Sequence, residues 1–120
     1  MTFATLALAL ASTSALAMGD VKVGKKVFKK CKACHTVKEG KHKVGPSLFN
    51  IVGAEAGAIE EYKYSKAMLE WGLTWDEATL REFLSRPKKL LPKTKMAFGG
   101  LKKEKDLDNI MAYLESLKPE

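Results

Sequence analysis

Residues 31–35 read Cys-Lys-Ala-Cys-His, two thiols three positions apart with an imidazole directly behind the second. A redox dithiol, part of a zinc site and the covalent attachment of a haem all use such a group. Cys31 and Cys34 are the chain's two cysteines. A disulfide between them would close a very small loop and gain little, and the several bridges of small secreted domains are missing. Redox pairs of the thioredoxin type sit beside a βαβ pattern, which this sequence lacks. Zinc takes four ligands, and beyond Cys31, Cys34 and His35 the remaining imidazole is His42; structural zinc sites also rarely use adjacent residues such as Cys34 and His35. C-x-x-C-H is the attachment signal of c-type haem. Cysteines at i and i+3 lie on one side of a helical turn, where thioethers reach the two vinyl groups on one porphyrin edge and the histidine is held beneath the iron. One covalently attached haem c per chain is therefore the expected cofactor, with His35 as one iron ligand.

A second ligand would come from Met18, Met68, Met96, Met111 or His42. Met111 lies beside Ile110 in an apolar helical stripe and Met68 in a short helix before Gly72, places where methionine fills gaps in a core. His42 precedes Gly45-Pro46 and reads as a loop histidine bonded to backbone. Met96 stands in PKTKMAFGG, a loop with proline before it and glycines after it, with no helical stripe to explain a buried apolar residue. His35 and Met96 are thus the expected axial pair. Met/His ligation raises the reduction potential and leaves no open iron position, which favours an electron carrier over an enzyme. A haem enzyme or sensor of the peroxidase kind, with a sixth site that opens, is the alternative.

These residues need a scaffold, and the scaffold is small. Residues 1–17, MTFATLALALASTSALA, carry no charge and end on the small-x-small pattern of Ala15-Leu16-Ala17, as in a secretory signal. No Lys or Arg precedes Lys22, unlike the usual signal. The run is shorter than the roughly 20 apolar residues that span a bilayer, so a membrane anchor is the second reading. Residues 18–120 then form one domain carrying the whole net charge of +7. That charge favours acidic partners, and no nucleic-acid-binding pattern is present.

The hydrophobic pattern predicts an all-α fold of about four helices with long loops. Asp20 caps a first helix running through VKVGKKVFKKCKACH, with the motif at its end. A short helix over 62–70 stops at Gly72, and Thr74 with Glu77 forms a capping box for an amphipathic helix with Leu80, Phe83 and Leu84 on one side, ended by Pro87. The last helix aligns Leu107, Ile110, Leu114 and Leu117. No strand is convincing between residues 36 and 60. Loops this long leave a thin core, which an apolar group at the centre would complete.

CKACH, VGPSLFNIVG, LTW, SRPKKLLPKTKMAF and LDNIMAYLESL stand in one order over residues 20–117, and in that order the chain resembles the class I c-type cytochromes, of the bacterial cytochrome c2 and mitochondrial cytochrome c type. The resemblance implies four helices and long loops wrapped round one haem, with Gly24 and Phe28 crossing the last helix near Tyr113 and Leu114. It implies that the Pro46 carbonyl accepts the His35 Nδ1–H, that Tyr64 and Trp75 bind a haem propionate, that Thr94 stands beside Met96, and that Leu48, Leu84 and Phe98 line the pocket. Lys30, Lys32, Lys43, Lys88, Lys89, Lys95 and Lys102 would ring the exposed haem edge and dock acidic faces of a cytochrome bc1 complex and of a terminal oxidase or photosynthetic reaction centre. The implied protein is a soluble periplasmic monomer without a small-molecule substrate. Three positions depart from the pattern: Ala54 replaces an arginine that assists the propionate, Phe83 a tyrosine bonded to the methionine sulfur, and Met68 an asparagine beside an internal water.

Overall fold

The structure is a computed structural model that describes residues 2, 4 and 19–120. The expected signal, residues 1–17, and Met18 thus lie outside the described residues, Thr2 and Ala4 apart. Five α-helices follow in order: α1 (Val21–Val27), α2 (Lys66–Trp71), α3 (Glu77–Ser85), α4 (Pro87–Leu90) and α5 (Glu104–Ser116), with a 3₁₀ turn at Phe28–Lys30. The helical reading of the sequence is met.

The first helix starts where expected, since the Asp20 carboxylate accepts the Val23 N–H at 3.0 Å. It does not run on through the motif. After Val27 it tightens into the 3₁₀ turn, and Cys31 N–H donates to the Phe28 carbonyl at 2.8 Å. Cys34 N–H and His35 N–H both donate to the Cys31 carbonyl, at 3.1 and 3.0 Å, so the motif is one tight turn that brings Cys31, Cys34 and His35 together.

α1 lies directly against α5. Glycine weakens a helix interior by about 1 kcal/mol relative to alanine, yet Gly24 stands in the middle of α1. Its place is fixed by the crossing, because a Cβ there would sit 2.0 Å from the Asn109 carbonyl oxygen and 2.7 Å from Tyr113 Cβ. The buried Asn109 also accepts the Asp20 N–H at 2.9 Å. Around this crossing Phe28 meets Tyr113, with ring centroids 5.5 Å apart, and Leu107, Ile110 and Leu114 are almost wholly buried.

Two further expected boundaries differ. Helix α2 begins only at Lys66, where Ser65 caps it by accepting from Met68 N–H at 3.1 Å, and it ends at Gly72 with φ 70°. Helix α3 is capped by Asp76, whose carboxylate accepts the Thr79 N–H at 2.8 Å, and not by Thr74. Thr74 is held in an isolated antiparallel bridge with Glu55, while Trp75 N–H donates to the Ala54 carbonyl and Gly53 N–H to the Trp75 carbonyl, each at 2.7 Å. The chain is therefore extended through Trp75 and turns helical only after Asp76. Pro87 ends α3 and also opens α4, where its fixed φ and missing N–H suit a first helical position. Arg81 ties α3 to α5 through Glu104 at 2.6 Å and Asp108 at 2.7 Å.

Candidate functional site

Between these elements lies one cavity of about 910 Å³, at the upper end of the size range of ligand and cofactor sites. The turn after α1 contributes Cys31, Cys34 and His35; the following loop contributes Pro46 and Leu48; the loop before α2 Tyr64 and α2 itself Met68; the neighbours of the bridge Ala54 and Trp75; α3 Phe83 and Leu84; and the loop after α4 Thr94, Met96 and Phe98. All eight residues expected at the cofactor from sequence thus line one space, and so do the three departures. Met111, read as packing, is in the core at 4% exposure.

His35 is held by its neighbours. Its Nδ1 lies 2.7 Å from the Pro46 carbonyl oxygen, which can only accept, so Nδ1 carries the proton and Nε2 keeps a free lone pair. Burial holds the imidazole below its ordinary pKa, against the smaller opposing effect of the Pro46 carbonyl, so the ring is neutral at pH 7 and able to bind a metal. Gly45 packs flat on the ring: a Cβ there would stand 2.4 Å from His35 Cε1. Only a residue without a side chain leaves the imidazole in place.

Both thiols are free. Burial pushes the Cys31 thiol up to about 11, more than nearby Lys30 lowers it. A disulfide-exchange cysteine needs a depressed pKa, and Cys31 has the reverse. His42 also lines the cavity, but its Nδ1 accepts from Ser47 N–H at 3.0 Å and its ring meets Tyr62, the backbone-bonded role read from its loop. The cavity is then lined by both thiols, the imidazoles of His35 and His42 and the thioethers of Met68 and Met96 in a largely apolar wall, which fits a covalently held haem.

Met96 lines the same cavity from the loop after α4, with its N–H donated to Thr94 Oγ1 at 3.3 Å. Phe83 offers no donor there. Its ring packs against Trp75 at 4.9 Å and Trp71 at 5.8 Å, and Trp71 meets Trp75 edge-on at 5.2 Å. Trp71 was not singled out in the sequence; its helix is too short for a periodic signal. Tyr64 accepts the Ile59 N–H at 3.3 Å through its hydroxyl, and burial raises its pKa. Of the expected docking lysines, Lys30 and Lys95 stand at the cavity rim. Lys88, Lys89 and Lys102 line a second, smaller cleft with Arg86, and Lys43 donates to the Lys32 carbonyl.

A family model described as Cytochrome c matches residues 21–118. This chain belongs to the cytochrome c family. It is 48% identical over 102 residues to cytochrome c of Gibberella zeae, covering 83% of this chain and 96% of that one, and 50% identical over 101 residues to cytochrome c2 of Rhodoblastus acidophilus, covering 83% and 94%. Among solved structures, cytochrome cH from Methylobacterium extorquens superposes with a TM-score of 0.76 at 46% identity, over 82% of this chain and 99% of that chain. The shared fold is all-helical, as expected of a class I cytochrome. Among the described residues no helix is long and apolar enough to cross a membrane.

Proposed function

We propose that this cytochrome c carries single electrons on one haem c, which Cys31 and Cys34 would hold through thioethers and whose iron His35 and Met96 would ligate. The reading rests on one observation above the others: a neutral, tautomer-fixed His35 and the loop thioether of Met96 line the same apolar cavity as both cysteines. When bound, the haem supplies a one-electron ferric–ferrous couple. The chain's part is to hold its ligands and keep water out. Pro46 fixes the imidazole, Thr94 shapes the backbone at Met96, and Trp75, Leu84 and Phe98 exclude solvent. Tyr64 and Trp75 serve a propionate, which here lacks the charge partner that Ala54 cannot supply. With two ligands from the protein no position is left for a substrate, so the chain is a carrier and not an enzyme. Residues 1–17 serve as an export signal and residues 18–120 act in the periplasm as a monomer.

Absorption spectra of the purified protein, oxidised, reduced and reduced under carbon monoxide, together with its pyridine haemochrome, test this reading. The expected result is a c-type haemochrome, a low-spin spectrum and no carbon monoxide adduct at neutral pH. Ready carbon monoxide binding would instead support the haem enzyme or sensor, and a colourless protein with two titratable thiols would end the haem reading.

Lys30, Lys32, Lys43, Lys88, Lys89, Lys95 and Lys102 form the docking ring for acidic faces of a cytochrome bc1 complex as donor and a terminal oxidase or photosynthetic reaction centre as acceptor. Charges of this kind act chiefly on the association rate and are screened within about 8 Å at physiological ionic strength. Electron transfer to such a partner therefore slows as salt rises, and Lys89→Glu lowers the second-order rate constant at low salt while leaving the spectrum intact. A rate indifferent to both changes removes the docking ring.

A further inference from the structure

At one side of the cavity three segments distant in sequence meet on a single side chain. Tyr62 donates its hydroxyl to the Val44 carbonyl. The Lys95 ammonium lies over its ring, 4.6 Å from the centroid, and donates to the neighbouring Lys63 carbonyl at 2.5 Å. The ring also meets Tyr64 edge-on at 4.8 Å and His42 at 5.9 Å. The loop of Val44 is the one that holds His35: Gly45 N–H donates to the Cys34 carbonyl at 2.8 Å, and Pro46 accepts from His35. Lys95 immediately precedes Met96. Tyr62 thereby joins the loop that holds His35 to the loop that carries Met96, both lining the cavity, and it does so at the rim, where Val44 is 74% exposed.

The loop that carries Met96 packs Met96 and Phe98 on the core and is pinned at its far end by the Leu101 N–H to Leu84 carbonyl bond at 2.8 Å, but near residue 95 its polar ties are few. It is not helical, and its local bonds, Thr94 N–H to Leu91 and Met96 N–H to Thr94, are internal to the segment. The Lys95 ammonium is its tie across to residues 62–63, and that tie ends on the Tyr62 ring and the Lys63 carbonyl. An ammonium over an aromatic face and a phenol hydrogen bond are each small at an exposed site, and they act in series, the first joining the Met96 loop to Tyr62 and the second joining Tyr62 to the Val44 loop, so loss of either loosens the link between the two loops.

We propose that Tyr62 is a positioning residue that straps the Met96 loop to the Pro46 loop, and that this strap sets how readily an external ligand displaces Met96. The proposal rests on the reading of Met96 as an iron ligand. Opening of the strap frees Lys95 and its neighbour Met96 together while His35 stays held by Pro46, so only one side of the cavity becomes accessible.

Titration of the ferric holoprotein with imidazole, at fixed pH and salt, tests it. Tyr62→Ala is expected to bind imidazole about tenfold more tightly than the parent, with a faster limiting rate at saturating imidazole. Tyr62→Phe, which keeps the ring under Lys95 and loses the bond to Val44, moves in the same direction by about threefold. Lys95→Gln moves in the same direction as Tyr62→Ala, and the double variant goes no further than Tyr62→Ala alone, because contacting residues are coupled. If Tyr62→Ala does not fold, Tyr62→Leu carries the same comparison. A Tyr62 variant with unchanged affinity and limiting rate, or effects of Tyr62 and Lys95 that simply multiply, overturns the strap. Met96→Ala separates the two readings: if it binds imidazole no more tightly than the parent, Met96 is not the ligand and both fall, whereas tighter binding there with no response at Tyr62 removes the strap alone.

Discussion

Met96→Ala, with its haem attached, is expected to lose the weak ferric sulfur-to-iron absorption band completely and to fall in reduction potential. A thioether is a better partner for ferrous than for ferric iron, and Met/His ligation accordingly raises the potential of cytochromes c. Removing it also opens a coordination position, so the reduced variant should bind carbon monoxide where the parent does not. The structure gives the substitution a local character. Thr94 holds the backbone at residue 96, and Phe83, facing the same cavity, is anchored on Trp75 and Trp71 rather than on the methionine. The substitution leaves the residues of the helix crossing unchanged, so unfolding should stay cooperative. An unchanged spectrum would assign the second ligand to another residue and remove Met96 from the site.

The other large effect is on stability. Gly24→Ala places a methyl group 2.0 Å from the Asn109 carbonyl oxygen, a backbone atom that cannot swing aside. Alanine favours the helix intrinsically by about 1 kcal/mol, but α1 must then lift off α5, disturbing the Asp20–Asn109 hydrogen bond and the Phe28–Tyr113 contact. Overpacking of this kind costs about 3 kcal/mol, equivalent to roughly 10–25 °C in Tm for a domain of this size. Denaturant unfolding checks it: the midpoint should fall with the slope unchanged. A midpoint equal to the parent's would mean that the crossing has room to spare.

The chemistry of the site was more legible in the sequence than its boundaries. CKACH, a methionine in an otherwise unexplained loop, and Gly45-Pro46 are local patterns, and the cavity gathers all of them. The capping box at Thr74 was misread for a non-local reason. Thr74 and Asp76 both suit a helix start, and the choice between them is made by residues 53–56, which hold Trp75 extended through backbone bonds that no local pattern announces. The first helix was drawn too long because lysines and valines are compatible with continued α-helix, whereas the tightening at Phe28 comes from the turn that the motif itself must form. Tyr62 carried no signal at all. Its partners Val44 and Lys95 lie 18 residues before it and 33 after it, and a tyrosine, an exposed valine and a lysine have no joint periodicity.

The contact between α1 and α5 joins the beginning of the described chain to its end, with the Asp20–Asn109 bond spanning 89 residues. Because chains are made from the N-terminus, CKACH exists long before the segment that clamps α1 in place. Until residues 104–116 arrive, the two thiols belong to an open, unfastened polypeptide, free of the burial that holds Cys31 at about 11 in the folded form. The crossing thus makes the partial burial of Cys31 depend on a helix far along the chain, while Cys34 stays exposed even in the folded form.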